Sequence, residues 1–257
     1  MHRVLPWILP GGLAALWFLA GHFNWLPAYL LPRPSEVMDT ALVYILGTPG
    51  DGPYAGRFSG DALASLGRVG LGFLLAVALG IPLGLWSGRV DTVRRLLGTS
   101  VNGLRAVPGI TWLPLAMVWF GIGLKTTVFL VALAAFFPVY LNAAAGASQV
   151  SPVLLRAGAM MGLGRLRGTF DILLPAAMPA IAAGLRLGLG ISWAYLVLGE
   201  LSGVPDGLGA VIMDARMLGR IDMIVAGILI IAVMGRLSDL LLKQGLKTCF
   251  KSAAGIK

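Results

Sequence analysis

The residue types that usually carry enzyme chemistry are sparse in this sequence and form no recognised catalytic pattern. The chain has one cysteine, Cys249, and two histidines, His2 and His22, so it offers no Cys/His set with the spacing of a zinc site. The nearest approach to a Walker phosphate-binding loop, Gly121–Thr127, lacks the glycine that should precede Lys125. We therefore predict that the chain is not an enzyme and holds no cofactor or metal of its own.

A second group of chemical candidates consists of ionisable residues inside apolar segments, where charge is costly and suggests function. Arg105 could reach the membrane interface or line a solute pathway. Arg186 lies deep in an apolar stretch, so we expect it to pair with a carboxylate, carbonyls or water, or to contact an anionic solute. Glu200 ends the same stretch and is predicted to be a polar anchor there, too far from Arg186 for a contact within one helix.

The composition shows what kind of structure must position these residues. Hydrophobic residues make up 58% of the chain and charged residues 12%, about half of the roughly 25% typical of soluble proteins. So few charges could not cover a soluble globule, and the chain is predicted to be an all-α integral membrane protein. The net charge of +9 then fits basic cytosolic loops better than nucleic-acid binding.

About six segments are apolar enough to cross a bilayer as helices. The third contains Arg105, Pro108 and Pro114, which predict kinks. Glycines four residues apart could let some of these helices approach closely, as in Gly80/Gly84, Gly84/Gly88 and Gly184/Gly188. The predicted spans are Val4–Phe23, Val69–Ser87, Leu104–Phe120, Thr127–Gly146, Met178–Leu201 and Ile224–Leu242.

The distribution of basic residues predicts the orientation of these spans. With the N-terminus in the cytosol, the inner loops and tail hold eleven Lys and Arg residues against five in the outer loops, as the positive-inside rule requires. Both termini are therefore predicted to be cytosolic. The long outer segment, residues 24–68, is predicted to contain a short helix that starts at Pro34 or Ser35 and ends near Leu46.

The long inner segment carries the most specific pattern in the chain. Residues 153–161 are helical by composition, Gly162–Gly164 predicts a turn, and a second apolar stretch leads to Leu174 and Pro175. A helix and turn held at the cytosolic face suit docking into a partner's groove. A plain basic connector is the alternative that these residues leave open.

This inner segment resembles the coupling loop of ABC importer permeases. The family pattern is Glu-Ala-Ala, three residues, Gly, nine residues, then Ile-x-Leu-Pro. The sequence keeps every spacing but replaces the acid by Arg156 and the second alanine by Gly158. The residues assigned to coupling on this resemblance are Arg156, Ala157, Gly158, Met161, Gly162, Leu163, Gly164, Leu174 and Pro175.

The resemblance extends over residues 5–245 to the nitrate, sulfonate, taurine and bicarbonate branch of these permeases, and the pattern is most similar to aliphatic sulfonate permeases. The stretches that carry it include Leu31–Val37, Ser65–Val69, Gly80–Gly84, Leu113–Gly123, Phe136–Pro138 and Gly207–Arg216.

The resemblance implies a type I ABC importer in the bacterial inner membrane. The expected partners are a second permease copy, two ATPase subunits that bind ATP and Mg, and a periplasmic solute-binding protein, with no nucleic acid. Residues 1–257 would form one transmembrane domain, with its core at 60–245 and its coupling loop at 150–176. The residues suggested for the substrate path are Arg105, Trp112, Arg186, Trp193 and Glu200.

Two other functions and several solutes are open at this point. An ion-coupled secondary carrier should show internal repeats, and residues 1–128 and 129–257 show no convincing repeat. A membrane-embedded enzyme should have a nucleophile and base or a metal set. An aliphatic sulfonate is the favoured solute, with nitrate, taurine, bicarbonate and small heterocycles as alternatives.

Overall fold

The computed structural model describes residues 5–23, 25–27, 29–48 and 50–249, and within these ranges the regular structure is helical throughout. His2 and Arg3, and the tail after Cys249, lie outside the described residues. The α-helices are α1 Leu5–His22, α2 Pro34–Leu46, α3 Phe58–Arg89, α4 Asp91–Ala106, α5 Trp112–Phe120, α6 Leu124–Gln149, α7 Pro152–Met160, α8 Arg165–Gly168, α9 Leu174–Glu200, α10 Leu208–Met217 and α11 Ile221–Cys249.

Four of the predicted spans coincide with helices that are long and apolar enough to cross a bilayer, namely α3, α6, α9 and α11, although the predicted end at Leu201 lies one residue beyond α9. A π-helical turn at Thr169–Leu173 joins α8 to α9, so that one helix runs over Leu166–Glu200. The first predicted span corresponds to α1, whose apolar stretch Ile8–His22 is shorter.

The third predicted span, Leu104–Phe120, is interrupted at one of the prolines from which we predicted kinks. Helices α4 and α5 are bent by 81° relative to each other, and Val107 at the break has an extended conformation, with φ −75° and ψ 119°. Pro108 explains the break, because a proline disfavours helical geometry in the residue before it and supplies no N–H. Pro114 causes no second break, since it lies in the first turn of α5, where N–H groups have no partner within the helix.

Helix α6 is the centre of the bundle, and glycines bring its neighbours close on two sides. A Cβ added to Gly84 of α3 would lie 2.6 Å from Ala143 Cβ and from the Tyr140 carbonyl oxygen, and one added to Gly184 of α9 would lie 2.6 Å from Asn142 Cβ. Gly80, Gly88 and Gly188 also face α6. The three glycine pairs noted in the sequence therefore all lie at contacts where a side chain would separate two helices.

The order of these contacts sets the directions of the helices. Helices α3 and α6 are parallel, because their contacts run from Gly72 against Val131 to Gly88 against Ala147. Helix α9 is antiparallel to α6, and α11 is antiparallel to α9. The C-terminal ends of α3 and α6 therefore lie beside the start of α9, and we call this the coupling-loop end of the bundle.

Candidate functional site

The segment that resembles a coupling loop forms a helix and turn with standard termini. Ser151 caps α7 by accepting a hydrogen bond from the Val153 N–H at 3.3 Å, and Pro152 occupies the first helical position. The helix ends at Met160, Gly162 in the turn that follows has a φ of +82°, and the Leu163 N–H donates to the Gly158 carbonyl at 3.0 Å. The helix, the glycine turn and the second apolar segment all lie where the sequence predicted them.

The glycine at position 158 has a packing reason in this chain. Gly158 is buried, and a Cβ there would overlap Cδ1 of Ile172, while Leu163 lies on the other side. Ile172 belongs to the π-helical turn that leads into Leu174 and Pro175 at the start of α9. The departure from the family's second alanine therefore lets α7 pack directly against that turn.

The exposed side chains of this helix-turn are mostly apolar and include a basic one. We define the coupling surface as Leu154, Arg156, Met160, Met161, Leu166 and Phe170. Met160, Met161 and Leu166 are 86%, 83% and 78% exposed, and Arg156 is exposed among them. These exposed apolar side chains beside a basic one make the helix-turn a candidate interaction surface.

Arg89 fixes the position of the coupling loop relative to the bundle. The guanidinium of this last residue of α3 donates to the carbonyl of Val150 at 3.1 Å and reaches that of Ala147 at 3.5 Å. These carbonyls end α6, immediately before α7. In the sequence, Arg89 is only one of the eleven basic residues that indicate the orientation, and nothing there predicts this contact.

At the opposite end of the bundle, α3, α9 and the turn before α10 meet in a buried polar cluster. Arg68 donates to Glu200 Oε1 at 2.7 Å and to the Asp206 carbonyl at 2.8 Å, and it also pairs with the Asp206 carboxylate. Glu200 further accepts from the Gly209 N–H at 2.8 Å and from the Ser65 hydroxyl at 2.8 Å. Glu200 therefore lies in a contact between helices.

Asp61 extends this cluster toward α2. Its carboxylate accepts from the Tyr44 hydroxyl and from the Gly207 N–H, each at 3.0 Å. Burial, with Asp61 close by, raises the pKa of Tyr44 far above its usual value. Sequence reasoning missed Asp61, Ser65 and Arg68, although their spacing of four and three residues places them on one helical face.

Two other candidate path residues, Arg186 and Trp193, lie in the contact between α9 and α11. The Arg186 guanidinium binds both oxygens of Asp239, at 2.8 and 3.0 Å. The Trp193 indole N–H donates to the Ser238 hydroxyl at 2.8 Å, and Trp193 is buried. Arg186 thus has the expected carboxylate partner, and the suggestion that these residues and Glu200 face the solute stays a prediction.

Arg105 and Trp112 line a cavity of about 370 Å³ at the break between α4 and α5. Tyr195 of α9, which the sequence did not single out, lies against Gly109 in the same cavity. The remaining wall is apolar and comes mainly from α6. Of the suggested path residues, the structure brings Arg105 and Trp112 together in one space that a small solute could enter.

In the part of the chain that the structure describes, no three His, Cys, Asp or Glu side chains are grouped so that they could hold a metal ion. The side chains that do cluster there pair acids with arginines. Such pairs are the usual means of burying charge inside a bundle.

Long apolar helices around a glycine-lined contact, with an exposed helix-turn at one end, are typical of a multi-pass membrane protein. The fold is similar to that in a solved structure titled inward facing conformations of the MetNI methionine ABC transporter, with a TM-score of 0.65 and 18% identity, over 75% of this chain and 95% of that one. This is the all-α fold of type I ABC importer permeases.

Residues 80–244 match the family described as binding-protein-dependent transport system inner membrane component, and the chain belongs to this family. It is 36% identical to the putative aliphatic sulfonates transport permease SsuC of Bacillus subtilis, over 90% of this chain and 81% of that protein. It is 35% identical to the taurine transport permease TauC of Escherichia coli, over 89% and 82%. The nitrate import permease NrtB of Synechocystis is 31% identical, over 81% and 76%.

Proposed function

We propose that this chain is the permease subunit of an ATP-driven importer in the bacterial inner membrane, and that it forms an alternating-access path for a small anionic solute. The single observation that carries the proposal is the coupling surface, an exposed apolar and basic helix-turn fixed to the bundle by Gly158 and Arg89. The family and its permease relatives support the same assignment.

The coupling surface would dock in a groove on an ATPase subunit, which binds ATP and Mg and hydrolyses the nucleotide. Met160, Met161 and Leu166 would supply the buried apolar contact, since an amphipathic helix places its apolar side in such a groove. Arg156 replaces an acid at the edge of this surface, so the facing groove should be acidic. Nucleotide would then bias the permease between inward- and outward-facing states by binding one of them better.

The solute would arrive on a periplasmic binding protein and pass between two copies of this chain. We favour an aliphatic sulfonate, because a relative with 36% identity is named for that substrate. Taurine and nitrate are the substrates named for two other relatives, and bicarbonate is a further small solute with an anionic group. All four carry an anionic group, which a guanidinium binds well.

Copurification tests the coupling assignment. The chain would be coexpressed with the ATPase and binding-protein genes that neighbour its own, and the ATPase subunit should copurify with it. Met161→Asp should abolish this association, because a carboxylate would be buried without a partner in the contact. Met217→Asp is the matched control, since Met217 is 75% exposed on α10, away from the coupling surface, and it should copurify normally.

Uptake by proteoliposomes that contain the complete complex tests the transport mechanism. Uptake of the anion should require ATP inside the vesicles and should persist when ionophores collapse the ion gradients. Uptake that follows an ion gradient and ignores ATP would contradict the proposal and would favour a secondary carrier.

A further inference from the structure

The cavity at the break between α4 and α5 contains polar groups whose hydrogen-bonding capacity is unused. Among the described residues, the Arg105 guanidinium, the Trp112 indole N–H and the Tyr195 hydroxyl make no hydrogen bond or ion pair. Arg105 is exposed and Trp112 and Tyr195 are half-buried, so all three groups can reach a ligand that enters this space, and a pocket with a few convergent polar groups is typical of a binding site. All three groups donate hydrogen bonds, and they line one space of about 370 Å³.

The charge and polarity of the wall specify the kind of ligand. Arg105 is the single charged residue among those that line the cavity, and none of them is acidic. The α6 side is apolar, with Leu133, Phe137 and Leu141. The ligand that fits is an anion with several acceptor oxygens at one end and a short apolar tail at the other.

We propose that this cavity is a substrate-binding site of the permease itself, selective for organic monoanions with a short apolar tail. This inference rests on the proposed function and adds a selective step within the membrane, after the binding protein has released its cargo. Arg105 would bind the anionic group, with Trp112 and Tyr195 donating to its remaining oxygens. The apolar wall would cover the tail.

A comparison of the affinities for ethanesulfonate and taurine distinguishes this site from one that attracts any anionic group, because taurine is ethanesulfonate with an added ammonium group. No carboxylate in the cavity wall could pair with that ammonium, so its burial would be unfavourable. The purified complex of permease and ATPase, without binding protein, should bind ethanesulfonate at least about tenfold more tightly than taurine, as measured by saturation-transfer NMR titration.

Variants of the cavity residues test the assignment. Arg105→Gln should weaken ethanesulfonate binding by about tenfold or more, because it removes a charge-assisted hydrogen bond. Tyr195→Phe should weaken it by a smaller factor, and Arg105→Lys should retain part of it. Arg95→Gln is the matched control, since Arg95 is exposed on the same helix and does not line the cavity, and its binding should equal that of the wild type. ATPase activity of each complex reports whether the variant is folded.

The outcomes separate this proposal from the proposed function. Equal binding by the Arg105→Gln and Arg95→Gln complexes, or equal binding of taurine and ethanesulfonate, would overturn the selective site. If the wild-type importer still showed ATP-dependent anion uptake in either case, the proposed function would stand. Absence of ATP-dependent uptake of any anion would overturn the proposed function itself.

Discussion

Arg68 on α3 and Glu200 on α9 form a buried ion pair, with 2.7 Å between Arg68 Nη1 and Glu200 Oε1. The side chains are 7% and 0% exposed. From the segment at the start of α10, the Asp206 carbonyl accepts a hydrogen bond from Arg68, and the Gly209 N–H donates one to Glu200. The pair therefore joins three parts of the chain at the end of the bundle opposite the coupling loop.

Glu200→Gln should destabilise the protein strongly. The substitution keeps the shape of the side chain but leaves Arg68 without its buried counter-charge, and breaking such a pair costs about 3–5 kcal/mol. Thermal unfolding of the purified protein in detergent would show a clearly lower midpoint. Asp91→Asn is the control, because Asp91 pairs with Arg94 at the surface, where a pair contributes about 0–1 kcal/mol. Equal midpoints for the two variants would contradict a stabilising role for the buried pair.

Gly84→Ala should destabilise the contact between α3 and α6. The added methyl would lie 2.6 Å from the Tyr140 carbonyl oxygen. Because this oxygen belongs to the backbone of α6, it cannot move aside as the end of a side chain could, and the overpacking should lower the free energy of unfolding by about 1–3 kcal/mol. Gly70→Ala on the same helix has open space around its Cβ and should be neutral or stabilising, since alanine is the better helix former by about 1 kcal/mol. The same thermal assay compares the two, and the reverse order of stability would rule out a close contact at Gly84.

Gly162→Ala should impair coupling more than folding. Gly162 has a φ of +82°, where a Cβ costs about 1–2 kcal/mol, and the strain falls on the turn that ends α7. Solute-stimulated ATPase activity and ATP-dependent uptake in proteoliposomes should both decrease. Gly168→Ala in α8 is the control, since Gly168 has open space around its Cβ and a helical φ of −59°, and it should behave like the wild type. Equal activity of the two variants would show that the positive φ of Gly162 is not needed.

Arg89→Gln should loosen the coupling loop. It weakens the contacts from α3 to the Val150 and Ala147 carbonyls at the end of α6, so ATPase binding would be transmitted less well to the bundle. The expected result is less solute transported for each ATP hydrolysed, with normal membrane insertion. Arg94→Gln removes a neighbouring exposed arginine and is expected to keep the normal ratio. If the two variants gave the same ratio, Arg89 would have no special part in coupling.

Much of this architecture could be predicted from local sequence. The apolar stretches that became α3, α6, α9 and α11, and the short α2 that starts at Pro34, follow from hydropathy and from proline placement. The helix and turn around Gly162 likewise follow from composition and spacing. The kink predicted in the third span is confirmed at Val107–Pro108, but the size of the bend, 81°, could not be predicted from the proline alone.

The sequence by itself determined an all-α membrane chain with a helix and glycine turn between α6 and α9, because span length and loop spacing are local properties of the chain. The tertiary structure decided which polar residues meet. Arg68 and Glu200 are 132 residues apart, and Arg186 and Asp239 are 53 apart, so only the packing of α3, α9 and α11 brings them together. Packing also decided that Arg105, Trp112 and Tyr195 share one cavity, since a proline break in one helix opened the space that a residue of another helix lines.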